Sequence, residues 1–132
     1  GSPEAGANMI TLRDAHLDAF QQVSLKQFED RMVDHLRNDF ADRTQDRLEP
    51  DLRNLVRDSI AKAKTYGVVA EDDVQRFIDC RMIYGPEFDT AKETHWAGQI
   101  LRTPSLNGTQ KMDYVEKFGR ERVKKSEPAK GR

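Results

Sequence analysis

Apolar side chains return every three or four positions along most of this chain, and the elements that spacing predicts are helices. Behind Thr11, which is placed to cap a helix, Leu12, His16, Ala19, Phe20 and Val23 form a first stripe. The stripe changes phase at Ser24. Ser24-Leu25-Lys26-Gln27 has the form of a capping box, in which serine and glutamine satisfy the free donors of a helix start. Leu25, Phe28, Met32, Leu36 and Phe40 then share a face among charged neighbours. Whether Ser24 breaks the helix or one helix runs through with a drifting stripe stays open at this level. Residues 42–49 are polar and read as a surface connection, and Pro50 suits the first turn of a helix, where its missing N–H costs nothing.

The next helix carries Leu52, Leu55, Val56, Ser59, Ile60 and Ala63. Tyr66-Gly67-Val68 should close it, with glycine in the left-handed position and Val68 folding back. Glu71-Asp72-Asp73 opens another helix at the end where the macrodipole favours negative charge. Val74, Phe77, Ile78, Cys80, Met82, Ile83 and Tyr84 cover most of its later circumference, which predicts the central, most buried helix. Gly85-Pro86 stops it. Thr90-Ala91-Lys92-Glu93 is a second capping-box match ahead of a helix bearing Trp96, Ala97, Ile100 and Leu101, limited by Pro104. Asn107-Gly108 signals a turn, and a short helix over about 109–118 offers Met112, Val115 and Phe118 to the core. No segment alternates with period two, so the expected architecture is all-α: a compact bundle of five or six helices joined by short turns, with a disordered basic C-terminal tail.

Length and charge set the limits of this picture. The 132 residues suit one domain. Residues 1–8 read as a leader left by cloning, Gly1-Ser2 as a protease scar and Met9 as the native start; 9–118 read as the helical domain and 119–132 as the tail. The formal net charge is −1, and the tail carries Arg120, Arg122, Lys124, Lys125, Lys130 and Arg132, so the body is acidic. Nucleic-acid binders replace counterions with Lys and Arg, so an acidic body argues against that role. The single cysteine, Cys80, excludes an internal disulfide and suits a reducing compartment. No apolar run is long enough to span a membrane and no signal-like segment follows Met9, so the expectation is a cytoplasmic protein without a membrane partner.

Candidate chemistry is sparse. His16, His35 and His95 are scattered and fit no metal-ligand spacing, and each reads as a satisfied, partly buried histidine. Glu71, Asp72 and Asp73 are adjacent, which on a helix points them to different faces. Cys80 sits inside an apolar run and reads as a structural thiol. There is no GxSxG elbow, phosphate loop or EF-hand pattern, so the chain reads as a non-enzyme with no cofactor and no metal. What stands out is Tyr84-Gly85-Pro86-Glu87-Phe88-Asp89 followed by Trp96. A Gly-Pro stop between helices fixes a corner. Phe88 plugging the core is the favoured reading there, and an aromatic anchor in a binding groove is the functional alternative, with Tyr84, Glu87, Phe88, Asp89 and Trp96 as candidate interaction residues.

Tyr66-Gly67-Val68, Glu71-Asp72-Asp73-Val74 with Phe77, the segment Tyr84 to Asp89, Trp96-Ala97 with Ile100-Leu101, and upstream Phe28, Met32, Val33, His35-Leu36-Arg37 and Phe40 together resemble small helical accessory proteins encoded beside bacterial type VI secretion effectors and other polymorphic toxins. The likeness covers residues 10–115, and Ala70 departs from it, since a hydroxyl residue is more usual there as the N-cap. It implies an adaptor or chaperone that holds a toxin for loading, or an immunity protein that blocks it, with a toxin or secretion component as partner. It supplies no site residues. The alternatives are a helical nucleic-acid-binding regulator, using the helix-turn-helix of 66–84 and the basic tail, and a small enzyme whose charged groups converge from separate helices.

Overall fold

A computed structural model describes residues 24–125. Every regular element among them is helical: α1 (residues 24–39), α2 (Ala41–Thr44), α3 (Glu49–Thr65), α4 (Glu71–Tyr84), α5 (His95–Leu101) and α6 (Gly108–Lys125), with a 3₁₀ turn at Lys92–Thr94 leading into α5. The all-α expectation is met. The leader, the first stripe with His16, and residues 126–132 lie outside the described residues. Ser24 is itself helical, and the question of a break before it also falls outside them.

The chain divides into two units, Gly1–Glu49 and Pro50–Arg132. In the first, α1 buries Phe28, Met32 and Leu36 from the middle of the predicted stripe, together with Val33 beside it, while Leu25 and Phe40 at the stripe's ends are half-buried. The polar connection after it is more ordered than its composition suggests. Thr44 is fully buried, and its hydroxyl donates to the carbonyls of Leu36 (3.3 Å) or Phe40 (3.0 Å) at the end of α1. The Arg37 guanidinium reaches forward to the carbonyls of Thr44 and Arg47. The carbonyls of Leu36, Phe40 and Thr44 also accept main-chain N–H groups, so these side chains add second bonds that tie the connection to the end of α1.

In the second unit, α3 buries Leu52, Val56, Ser59 and Ala63. Its end is a Schellman motif: the Val68 N–H donates to the Ala63 carbonyl and the Gly67 N–H to that of Lys64, each at 2.9 Å. Gly67 adopts φ +77°, a backbone region where a β-carbon is strained, and Val68 folds back to complete burial, as Tyr66-Gly67-Val68 predicts. Ala70 does begin α4: it is extended, makes no side-chain cap, and its carbonyl accepts from Val74 at 2.8 Å. The helix start therefore survives the missing hydroxyl.

Three expectations need correction. First, α4 buries more residues than any other described helix, as expected, but not over most of its circumference, and it is not the central one. Val74, Phe77, Ile78 and Cys80 are buried, but Ile83 is 51% exposed, and it is α6 that packs against both α4 and α5. Second, the Thr90–Glu93 capping box does not form. Thr90 belongs to the turn after α4, α5 begins only at His95, and Thr94 turns its hydroxyl to the Phe88 carbonyl (2.6 Å) instead of capping.

Third, the last helix is longer at both ends. Asn107 is its N-cap, in a reciprocal box with Gln110: the Gln110 N–H donates to Asn107 Oδ1 (2.8 Å), and the Asn107 N–H donates to Gln110 Oε1 (2.9 Å). The helix passes Phe118 and continues to Lys125, into the stretch assigned to the tail. Met112 and Val115 are in the core as expected, but Phe118 is not. The residue four beyond Val115 on the buried line is Gly119, and Phe118 lies about 100° around the helix from it.

Candidate functional site

The Gly-Pro corner is built from its main chain outward. Gly85 ends α4 by donating to the Arg81 carbonyl (3.1 Å), Phe88 donates to that of Gly85 (3.1 Å), and Thr90 and Ala91 both donate to that of Glu87 (3.0 and 2.7 Å). The segment is thus a hydrogen-bonded double turn. Phe88 is fully buried, its ring centroid 5.1 Å from that of Phe77 on α4. Of the two sequence readings of Phe88, the core plug is the one its position satisfies.

Side chains of α3 and α4 fix the corner from below. Arg81 is buried (6% exposed). Its Nε donates to the Pro86 carbonyl (2.9 Å) and one terminal nitrogen to Ser59 Oγ (2.7 Å), while the same group pairs with Asp58 at 3.0 Å. Lys62 Nζ sits 3.0 Å from the exposed Glu87 carboxylate and 3.6 Å from Asp89. The Tyr66 hydroxyl donates to Asp89 Oδ2 at 2.6 Å, and Arg102 donates to the Asp89 main-chain carbonyl at 3.2 Å. Asp89 is itself buried, and among the described residues its other carboxylate oxygen accepts no hydrogen bond. Lys62 balances that oxygen's charge through space only. Burial, followed by the hydrogen bond and charge of Asp89, pushes the Tyr66 phenol up to about 12.

The second half of the site is aromatic. Tyr84, the last residue of α4, and Trp96, on the first turn of α5, meet edge to face with centroids 5.5 Å apart. Both are only partly buried. Helix α6 crosses them at Gly119, where a β-carbon would collide with the Tyr84 hydroxyl and would stand 2.8 Å from its Cζ and 3.3 Å from Trp96 Cη2. One turn further on, the Arg122 guanidinium lies over the Trp96 ring, 5.2 Å from its centroid, a cation–π contact. This contact ties the charged continuation of α6 to α5. Gly119→Ala is therefore expected to lower stability by about 1–3 kcal/mol, the usual cost of overpacking, and calorimetry should show the loss.

Alongside, α4 and α6 share a polar seam. Arg76 bonds Asp73 (3.0 Å), Asp113 (2.6 Å) and Glu116 (2.8 Å), and the Thr109 hydroxyl donates to the buried Asp73 at 2.6 Å. Hydrogen bonding to Glu116, ahead of that to Asp113 and Asp73, raises the Arg76 pKa further. Asp73 is thus more than a helix-start charge.

Behind the seam, burial pushes the Cys80 thiol up to about 12, with Glu116 and Asp79 adding to it. Cys80 is expected to be inert to thiol reagents until the chain unfolds. Raised acids favour the protonated native state, so the stability Cys80 and Tyr66 contribute is complete below pH 9. It fades from pH 9 for Cys80 and pH 10 for Tyr66, and is lost towards about pH 12. Unfolding midpoints measured across that window should fall, and the Cys80→Ala variant should fall less steeply.

The structure brings the five residues chosen from sequence into one region but divides their roles. Phe88 and Asp89 are internal, Glu87 is exposed, and Tyr84 and Trp96 form the half-open aromatic pair. The pattern did not single out Lys62, Arg81, Gly119 and Arg122 as site residues, and it read Tyr66 only as part of the close of a helix. A lone arginine in the apolar run 77–83 was a readable signal; nothing in the charged stretch after Phe118 marks Arg122. His35, half-buried, pairs with Asp39 (3.4 Å) and sets its ring against Phe40, whereas His95 is exposed, contrary to expectation.

Among the described residues, no three His, Cys, Asp or Glu side chains converge as a metal site, and no helix is long and apolar enough to cross a membrane. The polar groups of the corner are aimed at one another and at main chain, which makes the arrangement a means of fixing shape. No family model matches the chain, and no curated protein or solved structure shows significant similarity to it.

Proposed function

We propose that this chain is a non-enzymatic protein-interaction module, an adaptor, chaperone or immunity-type partner of a bacterial secreted toxin effector that acts in the cytoplasm. The observation that carries this reading is the corner. Two aromatic rings, Tyr84 and Trp96, stand partly open on the helices that flank the exposed Glu87, and the turn carrying Glu87 is held by Arg81 of α4, Lys62 of α3 and Tyr66 just beyond α3. Aromatic anchors that lose little freedom on binding are what interface hot spots use. The resemblance to effector-associated accessory proteins supplies the class of partner. A nucleic-acid regulator fits less well. The exposed start of α4 presents Glu71 and Asp72, and Asp73 ties the same turn to Thr109 and Arg76, so α4 is neither positive nor free to enter a groove.

The test is co-expression with the products of adjacent genes, followed by affinity capture and size-exclusion chromatography. A stoichiometric complex with a toxin or secretion component, weakened by Glu87→Arg, is the expected result. Elution of this chain alone beside each such product would remove the proposal.

A further inference from the structure

Two aromatic side chains of α6 remain outside the core. Tyr114 and Phe118, one turn apart, are 41% and 37% exposed, and their rings lie 6.0 Å apart. They form a stripe to one side of the buried line Met112, Val115 and Gly119. Along one edge of the stripe stand Lys117 and Glu121, both exposed, and among the described residues neither takes part in an ion pair. Their order, lysine before glutamate, is also the weaker one for pairing within a helix.

This edge is complementary to itself. When two copies of a helix pair antiparallel about a two-fold axis, like edges face each other and each contact occurs twice. An axis crossing α6 near Gly119 sets Lys117 of each copy opposite Glu121 of the other. The same axis brings Phe118 against its own counterpart and lays Tyr114 along the second helix. Aromatic contacts then fill the seam, and opposite charges close its edge.

We propose that the Tyr114–Phe118 face of α6 binds a second copy of this chain in an antiparallel two-fold pairing closed by reciprocal Lys117–Glu121 ion pairs. One helix face offers less than the roughly 800 Å² per partner typical of stable complexes, so the association is weak and depends on concentration. It is independent of the corner as a binding surface.

Sedimentation equilibrium of the full chain, from micromolar to millimolar concentration at low salt, tests the pairing. The weight-average mass is expected to climb from 15.2 kDa towards twice that value. Lys117→Glu and Glu121→Lys should each weaken the association by about tenfold, since each replaces two attractive contacts with two repulsive ones. The double variant should restore it, and Phe118→Ser should abolish it. All three positions are exposed, so thermal midpoints at low concentration serve as the folding control. A monomer throughout the range would overturn the proposal, as would self-association indifferent to both charge reversals or a double variant that fails to recover.

Discussion

Replacing Phe88 by alanine is expected to cost about 3–5 kcal/mol, the range for emptying a large aromatic site in a core. The side chain is fully buried, its ring meets that of Phe77 at a tilt with centroids 5.1 Å apart, and its own carbonyl is held by the Thr94 hydroxyl, so the surroundings have little room to collapse into the space. Domains of this size have only about 5–15 kcal/mol to lose, so the melting midpoint should fall by well over about 10 °C. Phe88→Leu, which keeps most of the volume, should lose much less. The two readings of the corner separate here. An interface anchor truncated to alanine would leave the midpoint in place and reduce only the affinity for a partner, whereas a core plug reverses that order.

Arg81→Ala is the second large effect expected, at about 2–3 kcal/mol. The guanidinium supplies the Pro86 carbonyl at 2.9 Å and Ser59 Oγ at 2.7 Å, both under the corner, and a buried acceptor left without its donor costs about 1–3 kcal/mol. The Asp58 partner contributes much less, because its side chain is 57% exposed and a pair of that kind is worth about 0–1 kcal/mol. Asp58→Ala should therefore be mild while Arg81→Ala is severe. Arg81→Lys should stay close to the alanine variant, since an ammonium on a flexible stem cannot reproduce the planar fork. Denaturant titrations of the three variants give the comparison, and equal losses for Asp58→Ala and Arg81→Ala would mean the ion pair, not the carbonyl and hydroxyl, carries the stabilisation.

Local signals in the sequence proved readable where the chemistry is local. The close of α3 follows from Tyr66-Gly67-Val68 because a left-handed glycine and a returning apolar residue satisfy orphan carbonyls within a few positions. The Gly-Pro stop after Tyr84 and the stripes of α1 and α3 belong to the same kind. Thr90–Glu93 shows the limit: its residue types fit a capping box, but the double turn that seats Phe88 takes up Thr90 and draws Thr94 to the Phe88 carbonyl. The real box, Asn107 with Gln110, was present in the sequence but hidden under a turn signal.

The site was legible in outline only. Tyr84, Phe88 and Trp96 can be picked out because aromatics beside a Gly-Pro stop have few other uses. Which of them stays open depends on α6, and that choice turns on Gly119 and Arg122, more than twenty positions along the chain from Trp96. Lys62 and Tyr66 are equally remote from Glu87 and Asp89 in sequence, and no spacing rule joins them.

That the corner after α4 belongs to the core is the claim on which the site, the two large stability effects and the proposed binding role all depend. Amide hydrogen exchange of the full chain tests it most directly. Gly85, Phe88, Thr90 and Ala91, whose amides are bonded at 2.7–3.1 Å, are expected to exchange as slowly as the middle of α4. Exchange of those four amides at the rate of a free loop, while α4 and α6 stay protected, would contradict it.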